Sequence, residues 1–291
     1  MLRVSRCTSG ALPPRRVIVT ADDFGLSPEV NEAVERAHRE GVLTAASLMV
    51  GERAAPDAVA VARRNPGLAV GLHLTLTDGA PVLPAERIPA LVESDGRFCD
   101  DVAGVGLALA ASAAARAQLR AEVAAQIEAF RATGLVCDHL NAHKHFHMHP
   151  VIAAVAFRAA RGAGIRAVRV PWEPPALVRA VEPASRTAPR ALWPFAALLR
   201  RLAVRNGLAT PDRVVGLAWT GAFTADRLAA LLPRLPAGST EIYLHPAARD
   251  GFAGGAPGYR HAEEFAALLD PRVRAACAGL ASGGYAAMLR A

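Results

Sequence analysis

The sequence predicts a single α/β domain, built as a barrel or barrel-like sheet of about seven parallel strands. Three observations support this fold class. Short β-branched runs alternate with longer segments, rich in Ala and Arg, that have helical periodicity. The 291 residues, 52% of them hydrophobic, can bury one large core. No G-x-G-x-x-G motif opens a helix, which disfavours an open dinucleotide-binding sheet.

The strands are predicted from short apolar runs bounded by polar or turn-forming residues. The seven predicted strands are residues 17–20, 46–50, 69–76, 136–140, 167–170, 213–218 and 241–244.

The helices are predicted from apolar residues recurring every three or four positions. Ser27 followed by Pro28 is a favourable start for the first of them, because Ser caps the free N–H groups and Pro suits the first turn. The predicted helices are residues 28–40, 54–64, 115–133, 150–163, 191–206 and 225–232, with one or two more after His261.

Residues 1–16 are interpreted as a disordered leader, because they lack the continuous apolar core of a signal peptide, and residues 17–291 as the barrel domain. The chain has no uncharged apolar run of 18 residues, so no membrane-spanning helix is predicted.

Its four cysteines show neither C-x-x-C spacing nor the density of a disulfide scaffold, which predicts a cytoplasmic location. Two long loops, 77–98 and 171–189, are expected to shape a substrate cleft.

The net charge of +7 raises the question of a nucleic-acid partner. The charge comes from arginines along the chain, with Lys144 the only lysine and no consecutive basic block. Aromatic residues for base stacking are also few. The sequence therefore argues against nucleic-acid binding.

Residues that carry chemistry follow the predicted strands. Asp22 and Asp23 come directly after the first strand, at the end that carries the active site in βα barrels. Adjacent residues leaving a strand point in different directions, so one Asp can face a metal and the other a reacting water. A turn-forming pair is the alternative interpretation. His73 lies within the third strand, where a hydrogen-bonded core histidine is the alternative to a metal ligand.

The fourth strand leads into a run in which histidines alternate with other residues. In an extended segment these imidazoles would share one face and converge at the barrel mouth. A solvated tract that binds metal adventitiously is the alternative. Pro150, which starts a helix, places the run at a strand-to-helix junction like those of Asp23 and His73. The histidines of the run are His139, His143, His145, His147 and His149.

His245 follows the last predicted strand, again at a carboxyl end. It is a candidate general acid. The alternative is a histidine that ends the strand before Pro246.

Four motifs in this order, T-A-D-D-F-G-L-S, G-L-H-L-T-L, H-L-N-A-H-x-H-x-H and Y-L-H-P, resemble the YdjC-like (ChbG-type) carbohydrate deacetylases, and most closely the branch associated with hopanoid biosynthesis. The resemblance spans residues 17 to about 289. It implies a distorted (β/α) barrel that removes acetyl groups from N-acetylated sugars with a divalent metal.

The resemblance also implies roles for individual residues. Asp23, His73 and His143 become metal ligands, and Asp22 becomes the general base. Many members of the family have Asp where this chain has Asn141, which leaves an amide in place of a charged group. His145 and His147 match the His-rich run without an assigned role, and together with Asn141 are candidates for contacts with the substrate or with the ligands.

The expected reaction is attack of an activated water on the acetamide carbonyl, with Asp22 as base and His245 as acid, giving acetate and a free amine. The expected substrate is N-acetylglucosamine attached to a hopanoid lipid, with soluble chitooligosaccharides as the alternative. Residues 191–202 combine bulky apolar and basic side chains and are a candidate for peripheral membrane contact, or a barrel helix packed by its apolar side.

An Asp-His-His set suits zinc, and magnesium, manganese, cobalt or nickel are the other candidates. Two further functions stay open on the residues alone: another metal-assisted hydrolysis such as that of a phosphoester, and non-catalytic binding of a sugar or lipid. The sequence does not predict an oligomeric state.

Overall fold

The structure is a computed structural model that describes residues 14–187 and 189–289. Its named strands are parallel and belong to one sheet. They are β1 (Arg15–Phe24), β2 (Ala45–Leu48), β3 (Ala69–Leu74), β4 (Leu140–Ala142), β5 (Arg213–Val215), β6 (Gly238–Leu244) and β7 (Ala281–Ser282). Across the sheet the order is β4-β3-β2-β1-β6-β5, with β7 paired to the start of β1.

Helices surround the sheet, and each of the predicted ones is present to within about two residues at either end. Ser27 caps α1 as predicted, accepting from the backbone N–H of Val30. Two helices, α3 and α6, were not predicted because neither has a clear periodic pattern, and the structure has three helices from His261 onward where one or two were predicted. The helices are α1 (Pro28–Glu40), α2 (Ala55–Arg64), α3 (Val102–Ala111), α4 (Ala113–Ala132), α5 (Pro150–Gly162), α6 (Pro175–Val181), α7 (Trp193–Arg205), α8 (Ala225–Leu231), α9 (His261–Leu269), α10 (Pro271–Cys277) and α11 (Tyr285–Met288).

The sheet curves into a half-barrel, which confirms the predicted fold class, and its wall is incomplete between β4 and β5. The predicted strand at 167–170 makes only isolated parallel bridges there, from Val168 to Leu140 and from Ala167 to Ala209. The N–H of Val168 donates to Ala209 and that of Arg169 to Leu140, so the segment divides its hydrogen bonds between two neighbours. Neither side becomes a continuous ladder, and this is where the barrel is distorted.

The fourth strand begins at Leu140, whereas residues 136–140 were predicted. Val136 is 88% exposed. The Asp138 carboxylate accepts from the backbone N–H groups of Tyr285 and Ala286, at 2.8 and 2.9 Å. This tertiary contact holds the chain before β4 against the C-terminal segment and outside a regular ladder.

The C-terminal segment closes the amino end of the half-barrel. Tyr285 is fully buried, forms a small core with Ile18, Ala45 and Ala167, and stacks on His139 with ring centroids 4.2 Å apart. The larger core lies between the sheet and the surrounding helices. The opposite end of the half-barrel, where the strands have their carboxyl ends, is left open for a site.

Two expectations about the chain are qualified by the structure. Strand β1 begins at Arg15, so Arg15 and Arg16 belong to the sheet and not to a leader, and residues 1–13 lie outside the described part. Within the described ranges no single helix is long and apolar enough to cross a membrane. Helices α3 and α4 taken together have the length and composition of a membrane span, but they are bent by 113° where they meet.

Candidate metal centre and active site

A bulge in β1 places the two adjacent aspartates. Ala21 pairs with Ala46 and Phe24 with Leu48, so Asp22 and Asp23 together stand opposite one residue of β2. Asp23 has φ 63°, a left-handed conformation that Asp adopts more easily than most side chains. The bulge therefore turns the two carboxylates in different directions, as predicted for the pair.

Asp23 meets both predicted histidine ligands. Its Oδ1 lies 3.2 Å from Nε2 of His73 and 2.9 Å from Nδ1 of His143. One ligand atom from each residue lies within 4.8 Å of the others. Burial alone would raise the pKa of Asp23, but the two imidazoles hold it well below its usual value. The structure thus brings together three residues that are far apart in the sequence.

Asn141 determines how His73 faces Asp23. Nδ1 of His73 is 2.7 Å from the Asn141 side-chain oxygen, so it carries the proton and donates. The amide group of Asn141 donates in turn to Asp22 at 3.1 Å and to Ser47 at 2.8 Å. In the neutral imidazole, Nε2 of His73 then presents a lone pair to a carboxylate oxygen. Two acceptors face each other there, an arrangement that a bound cation stabilises.

Arg169 holds the other aspartate. It donates to both oxygens of Asp22, at 2.5 and 3.0 Å, and to the Glu241 carboxylate on β6. All three side chains are buried. Burial opposes ionisation of Asp22, yet the Arg169 guanidinium and the neighbouring His73 lower its pKa. Asp22 is therefore an ionised carboxylate with a fixed orientation. No structural role was predicted for Arg169 from the sequence, although a charged residue in a buried β pattern is a signal for one.

His245 follows β6 and is fixed through its backbone. Its N–H donates to Glu264, and its carbonyl accepts from Nδ1 of His261 at 2.6 Å. Its own Nδ1 is buried and has no hydrogen-bond partner among the described residues. Burial lowers the pKa of His245 and raises that of Glu264 to about 7.

The histidine run does not form the extended face that was expected. Residues His143–Met148 make a tight 3-10 turn in which Lys144 and His145 have φ of 50° and 52°. His145 Nε2 lies 3.0 Å from the hydroxyl of Tyr243, which lies 3.1 Å from that of Thr220. Positive φ in two successive non-glycine residues stores strain of the kind found at functional sites.

Three histidines of the run lie away from the cavity. His139 is buried on the same side of the segment as Asn141 but nearer the amino end of the sheet, 3.1 Å from the Ser47 hydroxyl that also accepts from Asn141. His147 is buried as well, does not line the cavity, and donates from Nε2 to the Arg169 carbonyl at 3.0 Å. His149 occupies the N-cap position of α5. Of the run, His143 and His145 line the cavity, because the turn replaces the extended backbone.

The candidate ligands, Asp22, His145 and His245 share one cavity of about 260 Å³. Asp78 of the 77–98 loop reaches this cavity as expected, whereas none of the described residues of the 171–189 loop lines it. The loop after β6 lines it instead, through Gly254, Ala256 and Tyr259. A cleft of about 310 Å³ between the ends of α4 and α5 has no carboxylate or imidazole in its lining. The chemistry of the described residues is therefore concentrated in the cavity at the carboxyl ends of the strands.

Known proteins are similar to this chain over most of its length. The YdjC-like protein family matches residues 16–279. A carbohydrate deacetylase of Geobacillus stearothermophilus is 33% identical over 261 residues, covering 89% of this chain and 91% of that protein. A carbohydrate deacetylase of Mus musculus is 35% identical over 256 residues, covering 81% and 79%. One of Brevibacillus brevis is 38% identical over 157 residues, and there the match spans 60% of the relative.

A solved structure from Enterococcus faecalis V583, named for cellobiose-phosphate cleavage, has the same fold. It superposes with a TM-score of 0.75 at 25% identity, covering 95% of this chain and all of the other.

Proposed function

Because the chain belongs to the YdjC-like family, whose members include carbohydrate deacetylases, we propose that it is a metal-dependent N-deacetylase that releases acetate from an acetylated amino sugar. The observation that carries the proposal is the convergence of Asp23, His73 and His143 in the same cavity as Asp22 and His245. Three ligands of this kind leave coordination positions for water and substrate.

The three residues fit a divalent cation on chemical grounds. One carboxylate and two imidazole nitrogens form a donor set suited to zinc, and to manganese, cobalt or nickel. The hydrogen bond from His73 to Asn141 leaves the other ring nitrogen free to bind. When bound, the ion would polarise the acetamide carbonyl and lower the pKa of a water molecule.

Asp22 is our candidate for the base. The Arg169 guanidinium keeps it ionised, which is the state that accepts a proton, and the fork of two hydrogen bonds keeps its carboxylate in one plane. Asn141 donates to the same carboxylate. Because Asn141 also accepts from His73, one side chain positions both a candidate ligand and the candidate base.

His245 is our candidate for the acid. An amine cannot leave as an anion, so the departing nitrogen needs a proton. Burial lowers the pKa of His245, so once protonated this imidazole readily gives the proton up. His245 lines the cavity, where its imidazole can reach the departing nitrogen.

Phosphoester hydrolysis is less well supported. A phosphate site needs cationic side chains free to bind it. Arg169 is already engaged with Asp22 and Glu241, and Lys144 with Asp78 at 2.6 Å. We therefore retain the acetylated sugar as substrate. Its attachment to a hopanoid lipid and a cytoplasmic location for the reaction are further parts of the proposal, supported by the sequence motifs and the cysteine pattern.

The test is acetate release by metal-loaded protein from an N-acetylglucosaminyl hopanoid and from chitooligosaccharides. Asp23→Asn is the control, since Asn tolerates the positive φ of this position whereas Ala would add backbone strain. Release from the lipid alone supports the whole proposal, and release from chitooligosaccharides alone discards the lipid. Acetate from neither substrate, with a correctly folded protein, would reject the deacetylase assignment.

A further inference from the structure

The positive charge of this protein is concentrated in one part of the chain. Residues 139–211 hold eleven Lys or Arg residues and two Glu residues, whereas the rest of the chain holds 22 basic and 24 acidic residues. Both glutamates are engaged: Glu173 accepts from three backbone N–H groups, and Glu182 pairs with Arg227 at 2.8 Å. The net charge of +7 therefore belongs to the sector that contains α5 and α7.

This charge is displayed on the surface of two packed helices. Arg158 and Arg161 on α5, and Arg201 and Arg205 on α7, are exposed. The arginine ion pairs within the described ranges involve other arginines. The two helices pack against each other, and the Arg161 guanidinium lies beside Gly207 at the end of α7. The four arginines thus belong to one continuous surface, which we call the α5–α7 surface.

Large apolar side chains are exposed on the same surface. Leu192, Phe195, Leu198 and Val204 are 38%, 45%, 37% and 69% exposed. Arg201 follows Phe195 by six residues, about 9 Å along the helix axis. Leu198 and Arg201 are three residues apart, so this apolar and this basic side chain are neighbours on the surface of α7.

We infer that the α5–α7 surface binds an anionic lipid bilayer. The positive charge of this surface favours an anionic bilayer over a second copy of the chain. A second copy joined through the same surface would bring arginines against arginines, whereas anionic headgroups neutralise them. Exposed Phe and Leu between the arginines match an apolar membrane edge better than a nucleic-acid backbone, which offers no apolar partner for them.

The geometry relates this surface to the cavity. α7 packs against the His143–Met148 turn, and that turn carries His143 and His145 into the cavity. Residues 78–101, which reach the cavity through Asp78, are acidic in contrast to the α5–α7 surface: they include six acidic and two basic residues. Both helices start at the carboxyl ends of the strands and run toward the amino ends, where Arg200 donates to the carbonyls of Pro211 and Asp212 just before β5. The start of α7 is therefore the part of the surface nearest the cavity, and the arginines lie farther along the same side of the half-barrel. Bilayer binding would bring a membrane-borne acetylated sugar close to the cavity, and in this respect it rests on the proposed function. Bilayer binding itself does not depend on turnover.

The experiment is co-sedimentation of the full chain with vesicles of phosphatidylglycerol and phosphatidylcholine, and with phosphatidylcholine alone. Binding is expected only to the anionic vesicles, and to weaken with salt. Arg201→Gln with Arg205→Gln should weaken it about 30-fold, since each basic residue near the surface contributes about 1 kcal/mol. The matched control, Arg39→Gln with Arg274→Gln, removes the same charge from α1 and α10 and should bind like the unchanged protein.

Phe195→Ser tests the apolar contribution and should also weaken vesicle binding. Four results would overturn the inference: no binding to anionic vesicles, equal loss in the control pair, a homodimer that Arg201→Gln with Arg205→Gln dissociates, or tighter binding to an RNA homopolymer with no effect of Phe195→Ser. Asp23→Asn should bind vesicles normally while releasing no acetate. The reverse outcome, acetate release without vesicle binding, would overturn this inference and leave the proposed function intact.

Discussion

Asn141 accepts a hydrogen bond from His73 and donates one to Asp22, at 2.7 and 3.1 Å, so a single amide connects a candidate metal ligand with the candidate base. A carboxylate at this position could accept from His73 but could not donate to Asp22 without taking up a proton. The amide is suited to an ionised Asp22, which the Arg169 guanidinium enforces from the other side.

Replacing Asn141 separates these two contacts. Asn141→Ala removes the acceptor that orients His73, and we expect metal affinity to fall about 10- to 100-fold. Asn141→Asp keeps the acceptor, so metal affinity should stay close to that of the unchanged protein while turnover falls, because Asp22 loses a donor. Titration calorimetry with Zn²⁺ measures the first effect. Ser47→Ala is the control, because it removes another partner of the amide and a contact of His139 but leaves the bonds of Asn141 to His73 and Asp22 in place. An Asn141→Ala variant with unchanged metal affinity would contradict the role given to this residue.

Removing the metal should lower thermal stability. A ligand at one hundred times its Kd stabilises the folded state by about 2.7 kcal/mol, which for a chain of this size corresponds to a Tm change of roughly 4 to 5 °C. Thermal unfolding of metal-loaded and chelator-treated protein measures the difference. In Asp23→Asn the two curves should coincide, and a persistent shift in that variant would mean that the stabilising ion binds elsewhere.

Arg169→Met should destabilise the fold by about 3 to 5 kcal/mol, because it leaves the buried carboxylates of Asp22 and Glu241 without their partner. Urea unfolding measures the loss. Arg166→Met, at an exposed position on the same segment, should change the free energy of unfolding by no more than about 0.5 kcal/mol.

The same variant should reverse the pH dependence that Asp22 contributes. In the unchanged protein the pKa of Asp22 is lowered, so its contribution to stability is present above its unfolded pKa of 3.8 and is lost as the pH falls toward the folded value. Without Arg169, the guanidinium no longer offsets the burial that opposes ionisation of Asp22, so the pKa of Asp22 rises and the variant should gain stability as the pH falls from 8 to 5 (about three units). A variant whose stability is flat over this range would show that the carboxylates find other partners.

Glu264 should make the protein less stable as the pH rises. Burial raises its folded pKa to about 7 from 4.5, so the folded state holds a proton that the unfolded state releases. Its unfavourable contribution begins near pH 4.5 and is complete above pH 7. We expect the free energy of unfolding of the unchanged protein to fall relative to that of Glu264→Gln across this window. Urea unfolding at several pH values tests this, and parallel pH profiles for the two proteins would refute it.

Local patterns predicted most of the secondary structure and the positions of the candidate ligands. Ser27 and Pro28 begin α1, and β-branched runs mark β1 and β6. The structure shows the half-barrel that the βα alternation predicted. Asp23 and His73 were identified because each follows or ends a strand, and strand ends can be read from residues close in sequence.

The path of the histidine run could not be predicted in this way. His143 and His145 enter the cavity, whereas His147 binds the Arg169 carbonyl, because the chain turns at Lys144 with positive φ. The prediction that alternate side chains share one face assumes an extended backbone. The local sequence does not indicate that a non-glycine residue will adopt a left-handed conformation.

By itself, then, the sequence determined the fold class, the family motifs and which residue types stand at the carboxyl ends of the strands. Only the tertiary structure decided that Arg169 binds Asp22 and Glu241 and that Tyr285 packs beneath His139 at the closed end of the barrel. It also decided that the described residues of the 171–189 loop do not line the cavity. The physical reason is the separation in sequence between the residues that interact. Helix and strand formation depends on neighbours along the chain, whereas these contacts join residues more than 70 positions apart and exist only after the sheet has curved.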